Sequence, residues 1–416
     1  MKRLRIAVYH NLHSGGAKRV TAGHLHSLSK RHDVTLYSLR GADHEFAVDG
    51  TTAAYAIKLY DHVDKPMLRS PFGRLNPLLR MQNAERMDET CKRIAADIDT
   101  DKHDVVLAHP CQMTNAPTVL KWLKTSSLYY LHEWPRKLYE PAIDRPYAAD
   151  GASSGRAGVR RALNRLDPLI STSADYFRKL DRDSARAATR IATNSNYTRN
   201  NAEPVYQRPV DVCYLGVDAD AYESTQSPPL RERVVLSVGS LTPAKGFDFV
   251  IQALGTLPRD ANGCRPPLVL ISNFQEAAER DYVTALAQRN GVPLKLLVRV
   301  SDDELKHWYR RAACLAYAPV REPFGLVALE AMASGAPIVA VAEGGVRESV
   351  LDAVTGLVAP REPQAFGQAI QQLLDDAAFA QHLANRAHAH VLAHWTWEQH
   401  VAKLEDMLQS VANQSK

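Results

Sequence analysis

Short apolar runs of four or five residues alternate along the chain with longer stretches of mixed, helix-like pattern. Residues 5–9 form the first run and read as a buried strand. Residues 11–16 are a Gly-bearing loop, 17–30 a helix and 34–39 a second strand. That β-loop-α-β order opens a doubly wound α/β domain. A helix over 81–96 and strands at 105–108, 128–131 and 191–195 continue it. The polar, Pro-containing stretch 200–209 reads as an inter-domain linker. A second series follows, with strands at 234–238, 268–272, 294–297, 314–317 and 338–341 and helices ending at 249–255 and over 302–313. These strands are apolar throughout, as in parallel sheets covered on both faces. A last helix begins near Thr396, its candidate cap. The pattern predicts α/β architecture in two doubly wound domains, bounded at 1–205 and 206–392, with 393–416 as a closing helix.

Residues 144–170 break the pattern. They mix Pro, Gly, Ala and Ser and then carry Arg156, Arg160, Arg161 and Arg165. One reading is a basic amphipathic helix on an anionic membrane surface. The other, which we favour, is a solvated helix packing Leu163 and Leu166 inward.

Composition narrows the class. A chain of 416 residues with 45% apolar content has room for two or three ordinary domains. The five cysteines, Cys91, Cys111, Cys213, Cys264 and Cys314, are odd in number, widely spaced and without a C-x-x-C pair. That predicts reduced thiols in a cytoplasmic setting and no cysteine-based zinc site. The N-terminus is basic, but its apolar run is short for a signal peptide. No run approaches the roughly 20 apolar residues of a membrane span. We expect a soluble, cytoplasmic protein, or one held peripherally on the inner face of the membrane. Net charge is +5, yet residues 1–210 hold 33 Lys+Arg against 22 Asp+Glu, while 211–416 hold 18 against 24. The basic half points to an anionic contact such as a lipid headgroup or a lipid-linked diphosphate, or to ordinary helix-surface charge. No nucleic-acid partner is expected.

The chemistry concentrates in residues 321–335, Arg-Glu-Pro-Phe-Gly-Leu-Val-Ala-Leu-Glu-Ala-Met-Ala-Ser-Gly. Glu322 sits in a Pro/Gly turn, and Glu330 lies in an Ala-rich run that reads as a helix. Gly325 followed by a helix start, with Phe324 and Leu326 flanking it, offers free amides and a positive helix end to an anion such as a diphosphate. Glu330, about one and a half turns on, can accept hydrogen bonds from ribose hydroxyls. Glu322 can reach what hangs beyond the phosphates. This segment closely resembles the donor-site signature of retaining glycosyltransferases of family 4, which have the GT-B fold. The resemblance implies two Rossmann-like domains facing a central cleft, with the terminal helix crossing back onto the first.

Other residues join through position. Gly15 and Gly16 follow the first strand and precede a helix, either as a plain turn or as a close approach to phosphate. His109 and His132 end apolar strands, where ligands of open parallel sheets bind. The segment around His132 resembles the family stretch whose histidine points at the donor sugar, so His132 is expected to donate a hydrogen bond there. His109, Glu133 and Arg136 fall on the acceptor side, or Glu133 and Arg136 simply pair with neighbours. After the strand 234–238, Gly239 and Lys245 occupy a turn in which Lys245 can place its charge on a diphosphate. The resembled motif carries a basic residue where this chain has Ser240, which leaves more of that role to Lys245; Arg321 is a candidate substitute. Gly344-Gly345 resembles the family's second glycine turn. Asp-x-Asp pairs at 97–101, 181–183 and 218–220 are not read as a metal site.

The resemblance implies a retaining glycosyltransferase that moves a sugar from a UDP- or GDP-linked donor to a hydroxyl acceptor, lipid-linked or polysaccharide, without metal or other cofactor. Glu322 would hold the sugar and Glu330 the ribose. Two alternatives use the same residues. A sugar-nucleotide epimerase of this fold would turn over donor without acceptor. A non-catalytic sugar-nucleotide-binding protein would bind donor without turnover.

Overall fold

The computed structural model describes residues 2–12, 15–42, 55–69, 72–147, 167–218, 220–222, 231–261 and 263–414. Two parallel sheets carry the fold. The first holds β1 (Arg5–Asn11), β2 (Asp33–Leu39), β3 (Ala56–Tyr60), β4 (Val105–Cys111), β5 (Ser127–Leu131), β6 (Arg190–Thr193) and β7 (Val210–Val212). Their spatial order is β3-β2-β1-β4-β5-β6-β7. The second holds β8 (Glu232–Val238), β9 (Leu268–Ser272), β10 (Leu294–Val298), β11 (Ala312–Tyr317), β12 (Ile338–Val341) and β13 (Leu357–Ala359), in the order β10-β9-β8-β11-β12-β13. Every neighbouring pair is parallel. Strand order therefore reverses between β1 and β4 in one sheet and between β8 and β11 in the other. In such sheets the ligand site lies beyond the carboxyl ends of the strands at the reversal.

The central strands are buried on both faces because their residues are apolar at consecutive positions: Ile6 to Tyr9, Val105 to Ala108 and Ala312 to Tyr317 all lie in the core. Local chemistry fixes several helix starts. Asp167 accepts from the Leu169 amide, Ser195 from Thr198 and Ser301 from Glu304. Thr396 and Gln399 exchange side-chain-to-amide bonds, a capping box at the head of the last helix, Trp397–Ala412.

Packing divides the chain into two units. One contains Met1–Ala142, Ala149–Cys213 and Val401–Lys416, the other Ile143–Ala148 and Tyr214–His400. The stretch read as a linker is no linker. Its first half ends the helix Asn196–Tyr206, capped by Ser195 and anchored by buried Ala202 and Tyr206, and β7 follows. Polar residues on its outer face and Pro204 near the helix end hid the period. Arg156, Arg160, Arg161 and Arg165 lie outside the described residues.

Candidate functional site

In the second unit, β8 and β11 flank the reversal, and the loops leaving them carry the donor-site candidates. Gly239 follows β8 directly, with the Lys245 alkyl chain and the Phe247 ring packed over the place where a Cβ would stand. The turn Pro243–Lys245 comes next. The loop after β11 is tied to that turn: the Val320 amide donates to Ala244 O at 2.8 Å, and a Cβ at Gly246 would collide with the Ala318 carbonyl. This close fit brings Lys245 Nζ to 2.9 Å from Glu322 Oε2 and 3.1 Å from Oε1. Both side chains keep some solvent access. An ammonium has three donors, so two contacts to Glu322 leave one for an incoming anion.

The Glu322 loop is held from behind. Gly345 N donates to Glu322 O at 2.9 Å. A side chain at Gly344 would run into the Glu322 backbone, and one at Gly345 into the Pro323 carbonyl. Arg361 grips Glu343 at 2.6 and 2.8 Å and donates to Ala318 O and Pro319 O. Gly325, with φ 106°, caps the helix Leu326–Ala333. The Ala328 and Leu329 amides already bond to Gly325 O, so Leu326 and Val327 supply the amides at the helix mouth. Glu330 lies in this helix, 6% exposed, with the Tyr309 hydroxyl at 3.3 Å from Oε2. Burial pushes the Tyr309 hydroxyl well above its ordinary pKa, so it stays a donor to that carboxylate.

Phe324 is placed at the donor by the sequence reading. Its ring is buried against Tyr214 and Trp395, with centroids 6.3 and 5.7 Å away. Phe324 thus anchors the loop, and its backbone is what remains to face a ligand. Tyr214 in turn donates to Glu348 Oε2 at 2.8 Å. Ser240 Oγ donates to Asn273 Oδ1 at 3.1 Å, joining the ends of β8 and β9. Arg145 reaches the Lys245 turn from the segment Ile143–Ala148. It donates to Pro243 O at 3.0 Å and pairs with Asp248 and the fully buried carboxylate of Glu279. Neither Arg145 nor Arg361 stands in a recognisable motif, and a sequence reading has no signal for them beyond their charge. The same holds for Tyr309.

In the first unit, three imidazoles gather at the carboxyl end of the sheet. His109 lies within β4, which runs on to Cys111 rather than ending at 108, and His132 directly follows β5. His24 comes from the helix Gly16–Ser29. His109 Nδ1 and His132 Nε2 are 2.9 Å apart. Thr21 Oγ1 gives its single hydrogen to Ala17 O, so it can only accept from His132 Nε2, 3.4 Å away. His24 stacks on His109 at 5.3 Å, and the Asn194 side chain donates to His132 O at 2.7 Å. The Thr21–His24 spacing on a helix after a glycine loop is the sequence signal for this face. A Cβ on Gly16 would meet nothing within 4 Å, so the helix start is open to approach. Glu133 and Arg136 pair with each other at 2.9 Å.

Asp97, Asp99, Asp101 and Asp181 of the Asp-x-Asp pairs have structural partners. Asp97 accepts from Tyr60, Asp99 from the Lys124 and Thr125 amides, and Asp101 from Lys58. Asp181 is buried among Ala116, Tyr139 and Tyr206. Among the described residues no group of three or more His, Cys, Asp or Glu side chains is arranged to hold a metal ion.

Two family profiles cover nearly the whole chain. The one described as Glycosyltransferase Family 4 matches residues 14–221, half of the chain, and the one described as Glycosyl transferases group 1 matches 219–390. The chain belongs to glycosyltransferase family 4. Among its relatives, a D-inositol 3-phosphate glycosyltransferase of Xylanimonas cellulosilytica is 35% identical over 211 residues, which are 46% of this chain and 49% of the relative. The chain thus spans about half the length of the curated relatives it matches. Solved structures share its GT-B fold over nearly their full length. Sucrose-phosphate synthase from Thermosynechococcus elongatus superposes with a TM-score of 0.72 at 18% identity, covering 98% of this chain and 99% of that one. HepE of Anabaena, solved in complex with UDP-glucose, gives 0.67 at 19% identity over 98% and 100%.

Proposed function

We propose that this family 4 member is a retaining glycosyltransferase that moves a sugar from a nucleotide donor, UDP-linked before GDP-linked, to a hydroxyl acceptor on a glycan or a lipid-linked carrier. The observation that carries the reading is the Lys245–Glu322 contact at the β8/β11 reversal, beside the open amides of Leu326 and Val327. Those groups match the charge order of a nucleotide sugar. The diphosphate meets the cation and the helix mouth, the ribose meets Glu330, and the sugar meets Glu322. UDP-glucose is the first donor to test because HepE, of the same fold, binds it.

In the proposed step the acceptor oxygen bonds to the anomeric carbon on the face from which the diphosphate leaves. The bond between that carbon and the diphosphate oxygen breaks, and the acceptor proton passes to a diphosphate oxygen. Lys245 and the helix amides stabilise the charge that builds on the leaving group. Glu322 stabilises the positive character of the sugar ring. His132, which lies against His109 and Thr21, is assigned to the sugar side.

The test joins binding and turnover. UDP-glucose should raise the melting temperature in the presence of EDTA. Glu322→Gln should keep that shift and lose about a hundredfold or more in transfer. Turnover of donor without acceptor would replace this reading with epimerisation. Wild-type turnover in Glu322→Gln would remove Glu322 from the site.

A further inference from the structure

Residues 63–69 and 72–80 of the first unit carry a run of exposed large apolar side chains. Every residue from Val63 to Arg69 is exposed. Val63 is 70% and Phe72 64% exposed, and Met67, Leu68, Leu75 and Leu78 join them. Six of the thirteen large apolar side chains exposed among the described residues thus fall in one short stretch. Scattered exposed leucines need no explanation, but a contiguous set marks an interaction surface.

The stretch is built rather than loose. Asn76 and Asn83 stand two turns apart on one face of the helix Asn76–Thr100. Asn83 Oδ1 accepts from the Lys65 amide at 2.8 Å and its Nδ2 donates to Lys65 O at 3.0 Å. Asn76 treats Leu68 the same way, at 2.8 and 3.1 Å. Each asparagine closes a two-bond ring on the backbone, as a neighbouring strand would. The backbone polar groups at these positions are satisfied internally, and the side chains are left facing outward.

Cations interleave with the apolar residues. Lys65, Arg69, Arg74 and Arg80 fall in the same stretch, and its one carboxylate, Asp64, pairs with His62 at 2.9 Å. Arg74 pairs with Asp167, while Lys65, Arg69 and Arg80 meet no carboxylate among the described residues. A second copy of the chain is a poor occupant, because a two-fold contact would set like charges against each other. An anionic lipid surface offers both things this stretch lacks, apolar depth and negative charge. No helix among the described residues is long and apolar enough to cross a membrane.

We propose that residues 63–69 and 72–80 are a docking surface for an anionic phospholipid bilayer. Phe72, Leu68 and Met67 enter the headgroup boundary, and Lys65, Arg69 and Arg80 lie against lipid phosphates. The proposal deepens the reading of a lipid-linked acceptor and rests on it for its purpose, but docking is measured with neither donor nor acceptor present.

The experiment is co-sedimentation of the full chain with vesicles of phosphatidylcholine, alone and mixed with phosphatidylglycerol, at low and high salt. Binding should require phosphatidylglycerol and fall with salt. The pair Leu68→Ser and Phe72→Ser should weaken it about tenfold or more. The pair Arg69→Ser and Arg80→Ser should weaken it by a similar factor at low salt. The UDP-glucose melting shift should be unchanged in both, which keeps docking separate from the donor site. Equal sedimentation of wild type and both variants would overturn the proposal. So would absence of vesicle binding, with or without a dimer that the serine variants abolish.

Discussion

Asp181 shows at the scale of one residue how burial and hydrogen bonding compete. It accepts from the Ala116 amide at 2.9 Å and from the Tyr139 and Tyr206 hydroxyls at 2.9 and 3.2 Å. Burial outweighs these donors and pushes its carboxyl up to about 6. An acid with a raised pKa keeps in the folded state a proton that the unfolded chain has already released. Its contribution to stability is full below the ordinary carboxylate pKa and is lost as pH rises through about 6. At about 1.4 kcal/mol per unit, roughly 2 kcal/mol should disappear between pH ~4 and pH ~7. Asp181→Asn does not titrate, so urea unfolding should show the wild type losing that amount relative to the variant over this range. A gap that stays constant with pH would refute the assignment. Glu322 and Lys245 are a different case at the same scale, because each partly neutralises the other while solvent still reaches both. Under the proposed function, an incoming diphosphate would meet the one ammonium hydrogen that the two contacts to Glu322 leave open.

At the scale of elements, the Glu322 loop depends on a second turn that approaches it without side chains. Gly344 and Gly345 lie so close to Glu322 and Pro323 that a Cβ on either would overlap backbone. Gly344→Ala adds a methyl, and its φ of 68° also disfavours alanine. The strain falls on Glu322. Transfer should therefore drop tenfold or more while the melting temperature falls by only a few degrees. Unchanged transfer rates would mean that the loop relaxes without moving the carboxylate. The Gly-Gly pair was visible in the sequence as a turn, whereas the surface it packs against became visible only in three dimensions. The same division runs through the fold. Strands such as β1, β4, β9 and β11 were legible because they are buried on both faces and apolar throughout. β3, β7 and β13 were not, since a half-exposed edge strand or a three-residue strand has no such run. The segment Glu322 to Glu330 was legible because turn, helix start and two carboxylates are contiguous. Arg145, Arg361 and Tyr309, which support it or the turn beside it, lie far from it in sequence, and a polar residue carries no local mark of its distant partner.

At the scale of the whole molecule, the chain passes between its two packing units on either side of Ile143–Ala148, then at Cys213/Tyr214 and at His400/Val401. One hydrogen bond joins the last two passages: His400 Nδ1 donates to Tyr214 O at 2.6 Å. Tyr214 also packs on Trp395 at 5.0 Å and near Phe324, so this bond lies next to the anchor of the Glu322 loop. His400 is buried, and desolvation outweighs the favourable carbonyl, lowering its pKa to about 4. The unfolded chain takes up a proton at His400 near the ordinary histidine value of about 6.5, while the folded protein resists it until about 4. The resulting stability is present above pH ~6.5 and is lost as pH falls towards 4, by roughly 3 kcal/mol in all. Its sign is opposite to that of Asp181, so a wild-type melting curve alone shows neither. The comparison is with His400→Gln, which is uncharged at every pH and retains a side-chain donor. Its deficit against wild type should be largest near neutrality and shrink by roughly 3 kcal/mol at pH ~4. A deficit that is the same at both pH values would mean that His400 is protonated in the folded state, or that its burial is not maintained in solution. In either case the hydrogen bond to Tyr214 would contribute less than its length implies.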